Sequence, residues 1–165
     1  MEASAQIDAV VADREKRLLA AIDKCETLLA AVKATQPDFA FLSARDLLLQ
    51  QGHCWLQLAR LKRLAAHKTL LRAEDDMDDA RSHLASAKRI FLDPEGGKDK
   101  AFLVGQIHVR SEEGELLATS GQLGDAIATF SDAVRLCYLA DDEILERALV
   151  SAALMLSYRS VLMCS

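Results

Sequence analysis

The chain has 165 residues and 18.1 kDa, enough for one domain with a buried core, and its 51% apolar and 27% charged residues exclude a disordered chain. Seven Gly and two Pro are too few for the turns of a sandwich, a barrel or a doubly wound sheet. A formal net charge of -5 argues against nucleic-acid binding through a broadly basic surface.

The first predicted helix runs from about Ser4 to Ala34. Ile7, Val11, Leu18, Ile22, Cys25, Leu29 and Val32 form one apolar stripe along it. It stops before Pro37, because the residue preceding a proline avoids the helical region. A second helical region covers about Asp38 to Arg72. Ser43-Ala44-Arg45-Asp46 is spaced as a capping box, so Ser43 is an alternative start. Gly52, in its middle, marks either a break or a point of close packing. Trp55, Leu58, Ala59, Leu61, Leu64 and Ala65 continue the stripe beyond it.

Glu74-Asp75-Asp76-Met77-Asp78-Asp79 opens a third helix that reaches about Phe91. Carboxylates at a helix start complement the free amide groups and the helix dipole. The same run lacks the Gly and distal Glu of a calcium loop, so it is read as a helix start. Asp93-Pro94-Glu95-Gly96-Gly97-Lys98 is the clearest loop and divides the chain. A fourth helix is expected over about Lys100 to Thr119, a turn at Ser120–Gly124, a fifth helix over about Asp125 to Leu139, and a sixth over about Asp142 to Met163. The fold class is therefore all-α, with about six antiparallel helices in a short array or bundle.

Charge is unevenly placed. Residues 1–100 are neutral overall, whereas from Ala101 onward the only cations are Arg110, Arg135, Arg147 and Arg159, and the whole net charge of -5 lies there. In the N-terminal part, Arg45, Arg60, Lys62, Arg63, Lys68 and Arg72 face Asp46 alone before the acidic run begins. Cys25, Cys54, Cys137 and Cys164 are scattered, with no CxxC, which fits buried thiols in a reducing, cytoplasmic compartment better than disulfides or zinc. The N-terminus carries acid early and lacks an apolar core, so it does not read as a signal peptide. The uncharged run Ala148–Tyr158 falls short of the ~20 residues of a membrane span.

Gly114, Gly121, Ala126, Phe130 and Ala133 share a pattern: a small residue in one helix, a turn glycine, then Ala-x3-Phe-x2-Ala in the next. This pattern resembles the tetratricopeptide repeat, a helical repeat superfamily. In physical terms, small residues let two antiparallel helices approach and the aromatic fills the space between them. A looser copy lies upstream, with Trp55, Leu58, Ala59 and Lys62 in its first helix and Ala80, Leu84, Ala87 and then Pro94 in its second. Lys62 stands where an aromatic is usual, and Ala59 to Ala80 is longer than Gly114 to Ala126. On this reading a single all-helical domain spans residues 1–165. An N-terminal extension covers 1–51, two tetratricopeptide-like helix pairs 52–139, and a C-terminal helix 140–165.

The resemblance implies a scaffold with a groove that takes peptides or helices. The carboxylate clamp of some family members is not expected here. The corresponding faces carry Leu56, Gln57 and Arg60, then Ser111, Glu112 and Glu115, and Glu112 and Glu115 would repel a carboxylate. Arg60, Arg63 and His67 share a helix face. They form either a solvated face, or one paired with the acidic C-terminal part, or a basic wall for an acidic peptide.

No catalytic, dinucleotide, phosphate-loop or zinc-protease motif occurs. His53, His67, His83 and His108 are too dispersed for a local metal pair. No catalytic residue, metal or cofactor is therefore expected. Between Ala148 and Ser165 the only charge is Arg159, whereas repeat arrays end in helices with a polar outer face. Leu149, Met155, Tyr158 and Leu162 are thus candidates for contact with a partner, for a homodimer through this helix, or for cover by the chain itself or by a longer array.

The leading expectation is a non-enzymatic adaptor or scaffold that binds a peptide or helix of another protein. Its candidate surfaces are Arg60, Arg63 and His67, the acidic Glu112 and Glu115, and the final helix. The alternatives are a dedicated chaperone that masks a client's apolar segment, and a helical ligand-binding or enzymatic bundle.

Overall fold

In the computed structural model the described residues are 2–34, 43–66, 73–92, 99–141, 146, 149–150, 152–154 and 156–157. They form an all-α fold with no strand among them. The helices are α1 (Glu2–Ala34), α2 (Ala44–Ala66), α3 (Ala73–Phe91), α4 (Lys100–Thr119) and α5 (Leu123–Ala140). The described residues from Glu146 to Ser157 are helical as well. The chain divides into two compact units, Met1–Ile90 and Phe91–Ser165. The division falls just before the loop that composition marks at 93–98. It does not coincide with the boundaries expected near 51 and 139.

In the first unit α1 packs along α2. Ile22, Cys25 and Leu29 of α1 and Leu47, Leu56, Leu58 and Ala59 of α2 are buried. α2 starts where the capping box places it: the Asp46 amide donates to Ser43 Oγ at 3.0 Å, and Ser43 Oγ donates to Asp46 Oδ2 at 2.9 Å. An amide of the first turn finds a side-chain acceptor in this way, and the hydroxyl that accepts from it is held by the Asp46 carboxylate. The helix runs unbroken through Gly52, which is buried. Gln51 is buried too, and its Nε2 donates to Glu26 Oε1 of α1 at 3.0 Å. α3 begins with Glu74, Asp75 and Asp76 in its first turn, and buries Met77, Ala80, Leu84 and Ala87. These recur at the three- and four-residue spacing of a single helical stripe.

The second unit is built on the α4–α5 hairpin. Asp99 caps α4 by accepting from the Ala101 amide at 2.8 Å. At its other end the Gly121 amide donates to the Ala118 carbonyl at 3.1 Å and the Gln122 amide to the Leu117 carbonyl at 2.9 Å. That is the six-to-one and five-to-two pairing of a Schellman cap. It requires a left-handed residue, and Gly121 supplies it with φ of 79°.

α4 carries two glycine notches. A Cβ on Gly114 would lie 2.8–2.9 Å from three ring atoms of Phe130 on α5. A Cβ on Gly105 would overlap the ring of Phe91. Nine positions apart on a helix is half a turn, so the notches open on opposite sides of α4. That is why apolar residues surround α4 while α5 keeps one stripe. Ala126, Phe130, Ala133, Cys137 and Ala140 are all buried, with Ile107 from one side of α4 in the same cluster. Phe91 also meets Phe102 edge-on, with ring centroids 6.2 Å apart and planes at 71°, a favoured aromatic geometry.

Candidate functional site

The residues expected to make the basic surface part company. Arg60 is exposed on α2, but Arg63 is buried, which corrects its reading as part of a solvated stripe. Three residues on from Arg60, it has turned toward the covered side of the helix. His67 lies outside the described residues.

The acidic face is corrected in the same way. Glu112 is buried on α4, because it shares a stripe with Phe102, Gly105, Val109 and Leu116, all of them buried. Glu115 is half-buried. Arg60 and Arg63 thus share α2 but divide between an exposed and a buried side, and on α4 Glu112 is buried while Glu115 is half-buried.

In the final segment Leu149, open in sequence between a partner or homodimer contact and cover by the chain itself, is 3% exposed and belongs to the cluster of Phe130, Cys137 and Ala140. Ala152, Ala153 and Leu156 pack against the same cluster. Chain cover therefore accounts for this side of the segment. Met155, Tyr158 and Leu162 lie outside the described residues.

The other side of the segment is open. Val150 is 38% exposed and Leu154 53%. Glu146, Val150 and Leu154 recur every fourth residue, which places them on one helical face. At its head the Tyr138 hydroxyl donates to the Glu146 carboxylate, which raises the Tyr138 pKa above its ordinary value. Tyr138 is itself 69% exposed, and the neighbouring Leu139 is 71% exposed. Val150 and Leu154 are thus an exposed apolar pair, with Glu146 one turn before Val150 and Tyr138 of α5 bonded to that carboxylate. Sequence reading missed Tyr138 and Leu139. The signal was present, since both fall off the 126, 130, 133, 137, 140 stripe of α5.

A second cluster, also missed, lies in the first unit. Lys62 Nζ reaches Glu15 Oε1 of α1 at 3.0 Å, and Asp79 Oδ2 and Asp76 Oδ1 of α3 at 3.2 and 3.7 Å. Burial pulls the ammonium pKa down, but the bonds from Glu15 and Asp79 outweigh it and hold Lys62 above its ordinary value. One turn beyond Asp79, His83 stacks on Trp55, with centroids 5.4 Å apart and planes at 26°. Burial pushes the His83 imidazole down, and the Lys62 charge adds to that against Asp79 and Glu15.

Burial is also the main cause that raises the Cys25 and Cys54 thiols, and so lowers their thiolate content and reactivity. Among the described residues no three His, Cys, Asp or Glu side chains converge as a metal site requires, and no helix is long and apolar enough to cross a membrane.

No family model, curated protein or solved structure matches this chain. The functional reading therefore stands on the arrangement of its own residues.

Proposed function

We propose that this chain is a non-enzymatic interaction module that binds a helix or peptide of a partner protein. The observation that carries the reading is the pair Val150 and Leu154, open to solvent on a segment whose opposite side is anchored in a packed core, with the exposed Tyr138 of α5 bonded to Glu146 on that same face. Apolar side chains aligned on one helical face suit docking of a second helix, and the rigid support behind them lowers the ordering cost of binding. The α4–α5 hairpin supports reading this unit as a tetratricopeptide-type helix pair. Gly114 admits Phe130, Gly121 makes the turn, and Ala126 and Ala133 flank the aromatic at full burial.

The test is fluorescence anisotropy of labelled amphipathic helical peptides of neutral, acidic and basic composition, titrated with the whole chain and with Leu154→Glu. Binding of at least one peptide by the wild type, lost in the variant at unchanged thermal stability, supports the reading. Failure of every peptide to bind at about 100 µM chain overturns it.

A further inference from the structure

We infer that Cys25 and Cys54 are an oxidation site: two thiols that meet across α1 and α2 and that a peroxide closes into a disulfide, stapling the helices together. The register of the two helices sets the level. Gln51 Nε2 donates to Glu26 Oε1 at 3.0 Å, and Lys62 Nζ meets Glu15 Oε1 at 3.0 Å. Lys62 lies eleven residues after Gln51, and Glu15 eleven residues before Glu26, so the helices run antiparallel in a single register. Cys54, three residues after Gln51, therefore stands level with Asp23. Cys25 is two residues from there, about 3 Å along the axis.

The sides match as well. Arg14 Nη2 donates to Gln57 Oε1 at 3.5 Å across the exposed flank of the same helix pair. Eleven residues make about three full turns, so Cys25 lies on the Arg14 face of α1. Gln57, three residues from Cys54, neighbours it on α2. Cys25 is 7% exposed and Cys54 is half-buried, so the pair lies just inside the flank with Cys54 nearer to solvent. Packed helix axes are about 8–10 Å apart and Cα atoms stand about 2.3 Å off the axis. Facing Cα atoms are then about 4–7 Å apart, the span that a disulfide bridges.

The exposure orders the chemistry. The Cys54 thiolate attacks one peroxide oxygen; the O–O bond breaks, Cys54 becomes a sulfenic acid, and the other oxygen leaves as water. The Cys25 sulfur, giving up its proton, then attacks the Cys54 sulfur. The S–S bond forms, the S–O bond breaks, and a second water leaves. The two thiols lose two electrons and two protons, and the peroxide takes them up. Burial raises the Cys54 thiol above its ordinary value, and Cys25 adds to this. Burial raises Cys25 as well, with Glu26 adding and Lys24 opposing. The first step needs a thiolate, so the pair closes slowly at neutral pH and answers sustained oxidant.

The experiment treats the whole reduced chain with excess hydrogen peroxide in native buffer, and maps its cysteines by mass spectrometry after non-reducing digestion. The expected product is a monomer lighter by two hydrogens, with the Cys25 peptide joined to the Cys54 peptide. Its rate of formation should rise ~10-fold per pH unit from about pH 7 to 8, as the thiolate fraction does. The staple closes a loop of about 30 residues and should raise the Tm by about 10 °C, reversibly with reductant. Cys25→Ala should leave a Cys54 sulfenic acid that dimedone traps, and Cys54→Ala should leave Cys25 reduced; circular dichroism checks the fold of both.

A dimedone adduct on Cys54 of the wild type with Cys25 still free would put the sulfurs out of reach and overturn the pair. So would a link from either thiol to Cys137 or Cys164 in its place, or a Cys25–Cys54 link that forms in urea but not in native buffer. Persistence of both free thiols under peroxide at alkaline pH overturns it too.

Discussion

Replacing each of four glycines by alanine should give opposite signs that packing and backbone conformation decide. At Gly114 the new Cβ would lie 2.8–2.9 Å from three atoms of the Phe130 ring, which is 1% exposed. Carbon atoms rest at about 3.5–4.0 Å, so ring and helix must separate by roughly 0.7 Å in a site with no free volume. Overpacking of this kind costs about 1–3 kcal/mol. Alanine in place of a mid-helix glycine returns about 1 kcal/mol. The net is a loss of about 1 kcal/mol, or about 2–4 °C in Tm for a chain of this length.

Gly105→Ala should lose more, because its Cβ would overlap the Phe91 ring, which is fully buried. Gly121→Ala should cost about 1 kcal/mol for its left-handed backbone, with no clash at all. Gly124→Ala, in the first turn of α5 with open space around its Cβ, should gain about 0.5 kcal/mol. Thermal and urea unfolding followed by circular dichroism measure the series. A Gly114→Ala that stabilises as much as Gly124→Ala would refute the notch. A double-mutant cycle with Phe130→Leu should show coupling of about 1 kcal/mol, since a smaller side chain vacates the space that the Cβ needs.

Leu149→Ala should cost about 2–5 kcal/mol as a core truncation, while Leu154→Ala stays within about 0.5 kcal/mol; similar Tm shifts for the two would contradict the split between covered and open sides. Lys62→Met should cost about 1–3 kcal/mol by leaving Glu15, Asp76 and Asp79 without their shared cation, as read by urea unfolding at neutral pH. The Lys62 contribution should be complete below pH 10.5, its unfolded value, and fade as pH rises through the raised folded value; an alkaline stability profile identical in Lys62→Met would dismiss it. His83 works in the other direction. Its folded pKa is lowered, so the unfolded chain binds the extra proton first, and stability should drop as pH falls below 6.5 until the folded value is reached. His83→Phe keeps a ring against Trp55 and should flatten that part of the profile.

The helices were legible because each has a one-sided pattern or a chemical end marker. Ser43 with Asp46, the acids that open α3, and the Gly121 turn are local signals, and the chain uses each of them where it stands. The surface was less legible because exposure depends on which neighbours cover a helix. Arg63 and Glu112 read as solvated from their charge, yet a turn of about 60° round the helix from Arg60 or Glu115 is enough to bury each of them. Leu149 and Leu154 read alike, as apolar residues of an uncharged run, and only the position of α5 separates the buried one from the exposed one. Tyr138 could have been found by asking which apolar residues of α5 fall off its core stripe.

The Lys62 cluster stands where the upstream sequence pattern differs from the downstream one. In the second unit, Gly114 admits the Phe130 ring and the helix pair closes on apolar contact. In the first unit, a lysine stands where the pattern calls for an aromatic, and an ammonium cannot be buried without partners. Three carboxylates from two other helices supply them, two from the acidic opening of α3 and one from α1. The acidic run therefore has two roles. Its first carboxylates meet the free amide end of the helix, while Asp76 and Asp79, one turn apart, turn toward Lys62. The aromatic contact that the motif would place at Lys62 is made nearby by Trp55 on His83. The first unit thus joins α1, α2 and α3 with a charge cluster and a ring stack, where the second relies on ring-in-notch packing. The two should then answer differently to salt and pH. Unfolding signals from Trp55, the chain's one tryptophan, should shift at acidic and alkaline pH, whereas those from Tyr138 and Tyr158, the chain's two tyrosines, should follow the glycine series.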